Sequence, residues 1–91
     1  MKRYLIEREI PQVGMLDRDQ LQAAAKKSCD VLRELEPDIH WIQSSIAKDK
    51  TFCVYLAKNE EIIARHAELS GFPVNKITEI PKIIDPTAER G

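Results

Sequence analysis

Residues 50–73 read KTFCVYLAKNEEIIARHAELSGFP, and this stretch decides the fold. Thr51 to Ala57 is apolar on both sides, with Phe52, Val54 and Leu56 against Cys53, Tyr55 and Ala57. A strand with two apolar faces sits centrally in a sheet. Asn59 follows as a helix N-cap, with Glu60 and Glu61 in the first turn, where acidic side chains suit the helix dipole. Ile62, Ile63, His66, Ala67 and Ser70 make a short apolar stripe, and Gly71 is the glycine expected just past the helix end.

The rest of the chain repeats this grammar on both sides. Arg3 to Ile10 alternates, with Tyr4, Ile6 and Ile10 on one side and Leu5, Glu7 and Glu9 on the other, and Pro11 ends the strand. Asp17 with Gln20 three residues on is a capping box, and Leu16 with Leu21 is a hydrophobic staple. Leu21, Ala24, Ala25, Ser28, Leu32 and Leu35 then recur at helical spacing until Pro37. Ile39 to Ile46 reads as a strand joined to the central one by the polar turn 47–50, and Val74 to Ile84 as a last strand that Pro81 confines to an edge. The order is strand, helix, strand, strand, helix, strand. It predicts an α+β fold, a ferredoxin-like βαββαβ sandwich with a four-stranded antiparallel sheet and two helices on one face. The chain is expected to be a single domain over residues 1–91, with 85–91 as a tail.

Composition narrows the function. The chain has 91 residues, 43% hydrophobic and 32% charged, with 14 Lys plus Arg against 15 Asp plus Glu. A net charge of −1 speaks against nucleic-acid binding, as does the absence of the basic-Gly-aromatic pattern of RNA-recognition strands in Lys50-Thr51-Phe52. No apolar run approaches the ~20 residues of a membrane span, and no signal-peptide core follows Met1-Lys2-Arg3, so the cytoplasm is the expected compartment. Cys29 and Cys53 form no CxxC pair and belong to no Cys/His ligand cluster, and no catalytic motif identifies an enzyme.

Two residues carry the sharpest chemistry. His66 lies on the face that the second helix turns to the sheet. A half-buried imidazole there requires a ring partner, a backbone carbonyl or Tyr55 if structural; the alternative is a metal ligand or acid–base residue in a pocket between the second helix and the sheet. Glu7 is a carboxylate in the middle of a central strand, costly unless paired with Arg8 or Lys82, solvated on an open sheet face, or used as a ligand facing His66. Trp41, Gln43 and Ser45 are expected to share one face of their strand, so that Glu7, Gln43, Cys53 and Tyr55 line a common pocket, with His40 on the other side. The third strand's second apolar face, in a fold whose helices cover only one, predicts a homodimer.

The segments Arg3-Tyr4-Leu5-Ile6-Glu7-Arg8, Ser28-Cys29, Leu32-Arg33-Glu34-Leu35, Cys53-Val54-Tyr55, Ile62-Ile63-Ala64-Arg65-His66-Ala67, Gly71-Phe72-Pro73 and Ile84-Asp85-Pro86-Thr87 give the chain a wider likeness. It resembles a family of small bacterial ferredoxin-like proteins of unknown function, some members of which are described as nickel-binding. The resemblance spans essentially the whole chain. It implies a dimer and a site for nickel or another divalent metal. Gly often stands in that family where this chain has Glu36, and His or Glu where it has Gln43, which weakens any metal site that uses Gln43. Three functions follow as expectations: a divalent-metal protein using His66 with Glu7; a small-molecule pocket or monooxygenase-like site between the second helix and the sheet; and a partner-binding module without a site.

Overall fold

Alternation in the first ten residues builds β1 (Lys2–Glu9), which buries Tyr4, Ile6 and Arg8 and leaves Leu5 and Glu7 on the opposite face. The computed structural model describes residues 1–90. A 3-10 turn at Val13–Met15 leads to α1 (Arg18–Leu35), capped as expected. The Asp17 carboxylate accepts from the Gln20 amide at 2.8 Å, and Gln20 Oε1 accepts from the Asp17 amide at 3.0 Å. β2 (Ile39–Ile46) and β3 (Lys50–Ala57) form a hairpin. Asn59 Oδ1 accepts from the Ile62 amide at 3.0 Å and opens α2 (Glu60–Ser70), which Gly71 closes at φ 79°, in the left-handed region that glycine enters without strain. β4 (Lys76–Glu79) and a 3-10 turn at Pro86–Arg90 follow.

The sheet order is β2-β3-β1-β4, with every neighbouring pair antiparallel, as the ferredoxin-like arrangement requires. Both helices pack on one face. There Leu32 of α1 and Ile63 of α2 join Tyr4, Ile6, Ile39, Cys53, Tyr55 and Ala57 in one buried cluster. The other face carries Leu5, Phe52, Val54 and Leu56, each only half-buried because no element among the described residues covers them. Gly14 ties the first loop to the β2–β3 turn. Its amide donates to the Lys48 carbonyl at 2.9 Å, and a Cβ at this position would lie 2.7 Å from the Ala47 oxygen, inside contact distance.

The structure corrects two expectations. The last strand is four residues long instead of running from Val74 to Ile84. Ile80 still donates its amide to the Arg3 carbonyl at 2.8 Å, but Pro81 has no amide to continue the ladder. Ile83 and Ile84 stand 64% and 83% exposed beyond it. In β2, a register shift between Trp41 and Gln43 makes Ile42 a bulge. Trp41 pairs with Tyr55 and Ser44 with Cys53 on the helix face, while Gln43 pairs with Val54 and Ser45 with Phe52 on the outer face. Trp41, Gln43 and Ser45 therefore do not share a face.

Candidate functional site

His66 is fully buried beneath α2, as its place in the apolar stripe requires. Its Nε2 lies 3.2 Å from Ser28 Oγ and 3.4 Å from the Ser28 carbonyl. In the tautomer with Nε2 protonated, that N–H donates to the Ser28 carbonyl, which only accepts, and Nδ1 keeps a bare lone pair. That Nδ1 is buried without a hydrogen-bond partner. The ring packs on Tyr55 with centroids 5.5 Å apart. Burial lowers the imidazole pKa, and the positive charge of Arg8 pushes the same way; together they outweigh the Ser28 carbonyl, so His66 is held neutral.

Glu7 sits on the other side of the sheet. Its register partner is Phe52, and its carboxylate accepts from Lys50 Nζ at 2.9 Å, not from the expected Arg8 or Lys82. That ammonium lowers the Glu7 pKa. His66 and Glu7 stand on opposite faces of the sheet, so they cannot hold one ion within a single chain. Gln43 shares the outer face with Glu7 and is likewise separated from Cys53 and Tyr55. His40, opposite Leu56, also belongs to the outer face and is exposed. Among the described residues no three His, Cys, Asp or Glu side chains form a group that could hold a metal ion.

Cys53 and Tyr55 do share a site. They line a cleft of about 620 Å³ between the N-terminal half of α1 and the sheet, with Phe72 and Pro73 contributing to its wall. The pocket expected under the second helix thus lies under the first. It exists because α1 faces the sheet there with Ala24, Ala25 and Ser28, whose short side chains leave the space that leucines fill further along at Leu32 and Leu35. Two polar threads enter it. Trp41 Nε1 donates to Ser44 Oγ at 3.0 Å, and the Ser44 hydroxyl donates to Cys53 Sγ at 2.9 Å. Arg8 Nη2 lies 3.5 Å from the Tyr55 hydroxyl, whose pKa burial raises, so Tyr55 stays a neutral phenol.

Arg8, expected from the sequence only as a partner for Glu7, belongs to this site. Only 2% exposed, it donates from Nη1 to the Pro73 carbonyl at 2.7 Å, and its guanidinium stands 5.8 Å from the centre of the Phe72 ring. Among the described residues no carboxylate lies within ion-pair distance of it. A buried cation without a counter-ion costs several kcal/mol even after relaxation. Its signal was present in the alternation: Arg8 is in phase with Tyr4 and Ile6, on the side that goes inward.

A family profile described as "Nickel responsive protein SCO4226-like" matches residues 4–80 of the chain. The crystal structure of SCO4226 from Streptomyces coelicolor A3(2) is similar, with a TM-score of 0.75 at 19% sequence identity, over 90% of this chain and 99% of that one. At that identity the likeness speaks for the fold. No curated protein matches the chain. No helix is long and apolar enough to cross a membrane among the described residues.

Proposed function

We propose, for a chain that belongs to the SCO4226-like family of nickel responsive proteins, that it is a homodimer that binds a divalent metal, nickel foremost, at the seam between two copies. The supporting observation is the uncovered outer face of the sheet. Leu5, Phe52, Val54 and Leu56 form its apolar centre, and the donors Glu7, Gln43 and His40 stand on that same face.

A single chain does not fit nickel. Its two histidines lie on opposite sides of the sheet, and no donor group of three forms among the described residues. Divalent nickel favours imidazole and carboxylate donors, and a lone one of either holds it weakly. Two outer faces packed together double the donor set. Eight-residue strands spaced ~4.8 Å apart give a face of roughly 450–500 Å² per copy. The pair then buries on the order of 1,000 Å², where specific interfaces begin.

Titration calorimetry of tag-free protein with nickel, beside sedimentation at micromolar concentration, tests this reading. The expected result is a dimer that binds nickel, with binding weakened by His40→Ala and by Glu7→Gln and kept by His66→Ala. Nickel affinity should fall in acid, because a donor nitrogen must be unprotonated to bind the metal. A monomer, or neither heat nor a shift in melting temperature with any divalent ion, overturns it.

A further inference from the structure

We infer that the cleft under α1 is a binding site for a small apolar monocarboxylate, with Arg8 as the group that receives the carboxylate. This inference is independent of the metal reading, since the cleft lies on the helix face and the proposed metal seam on the other.

Three observations converge. The first is volume: about 620 Å³ falls within the range of small-molecule sites and is lined mainly by apolar side chains, among them Val13, Leu16, Leu21, Trp41 and Phe72. The second is the charge. Arg8 lines this apolar space, almost fully buried, with a neutral hydroxyl and a backbone carbonyl as its hydrogen-bond partners. A guanidinium carries five N–H donors in a planar fork that fits a carboxylate in bidentate fashion, and the chain supplies no anion to it among the described residues. The third is the state of the neighbours. Tyr55 is held as a phenol and His66 as a neutral imidazole, so neither adds a charge beside Arg8. Glu9 also borders the cleft, but it is exposed and is bonded to Asn75, whose Nδ2 donates to Glu9 Oε2 at 3.4 Å.

The chemistry then assigns both ends of the ligand. Its carboxylate pairs with Arg8 beside the Tyr55 hydroxyl, which can donate to it. Its body lies along α1, where Ala24 and Ala25 leave room. One carboxylate suffices, because among the described residues Arg8 is the only cationic side chain lining the cleft. A dianion would bury an unpaired charge, and a cation would meet Arg8 head on.

Calorimetric titration of the wild-type protein at pH 7.5 with octanoate and 2-naphthoate, beside octanol, 2-naphthol and octylamine, tests this directly. Saturable binding of at least one of the two acids is expected, at least tenfold tighter than its alcohol, with no binding of octylamine. Arg8→Gln should bring the acid down to the affinity of its alcohol. Ala25→Phe, which fills the cleft and leaves Arg8 in place, should abolish both. Should Arg8→Gln fail to fold, the wild-type ligand series and Ala25→Phe still decide. Equal affinity for acid and alcohol, binding undiminished by Ala25→Phe, or no saturable binding of either acid overturns the proposal.

Discussion

The two faces of this sheet are built from the same strands and do opposite work. On the helix face, Tyr4, Ile6, Cys53 and Tyr55 disappear under α1 and α2 and hold the fold together. On the outer face, Leu5, Phe52, Val54 and Leu56 alternate with them residue for residue, yet no element among the described residues covers them. The charged groups divide in a way that polarity alone would not suggest. Arg8 is buried among apolar walls, while Glu7, its neighbour, stands on the outer face and is satisfied by Lys50. The helix face thus holds both the core and the cleft, and the outer face is the one on which the proposed dimer would form.

The sharpest way to break this contrast is to truncate one neighbour at a time. Ile6→Ala should destabilise the protein by about 2–5 kcal/mol in denaturant unfolding, the range for deleting a fully buried aliphatic side chain. Leu5→Ala, one residue along, should cost far less when measured at dilution. Equal costs would mean that the outer face is as much core as the inner one.

A smaller effect sharpens the electrostatic side of the contrast. Burial lowers the His66 pKa, so below ~6.5 the unfolded chain binds a proton that the folded chain refuses. Stability is therefore complete above ~6.5 and falls as pH drops from there towards the lowered folded pKa, by up to about 1.4 kcal/mol per pH unit. His66→Gln should flatten that slope in urea unfolding followed between pH 7.5 and 5. An unchanged slope would show that His66 is not what the acid limb reports.

The smallest effect on folding is expected outside. Leu56→Thr should change stability by no more than about 0.5 kcal/mol at concentrations where copies are separate. The same variant should shift sedimentation towards the monomer. A large loss of stability with no change in association would invert the roles given to the two faces.

Local chemistry made much of this legible. The Asp17–Gln20 capping box, the Asn59 cap and Gly71 act within a turn of their own positions, so the helix ends could be read from neighbouring residues. His66 followed from the phase of Ile62, Ile63 and Ser70. The faces of β2 were not legible, because a bulge at Ile42 reverses the phase of every later side chain and leaves no mark in composition. That one shift moved Gln43 out of the expected pocket and brought Ser44 into it. The joint placing of Glu7 with His66 failed for a related reason: alternation says which residues of a strand travel together, and only packing says which side the helices take. Arg8 was in phase with the core, but a cation is ordinarily expected in water. The pocket was expected under the second helix and not the first because Ala24, Ala25 and Ser28 continue the helical stripe as well as larger residues would.

The bulge in β2 also bears on how the protein can grow. β2 and β4 are the two borders of the sheet, and a border strand is a template on which another chain can add itself indefinitely. Here one border is kinked at Ile42, and the other stops after four residues and meets Pro81, which has no amide to offer. Polymerisation by strand addition is blunted at both ends. What is left for contact is the flat of the sheet, and two flats meeting about a two-fold axis use each other up. The proposed dimer would therefore stop at a pair, a closed particle rather than the seed of a fibre.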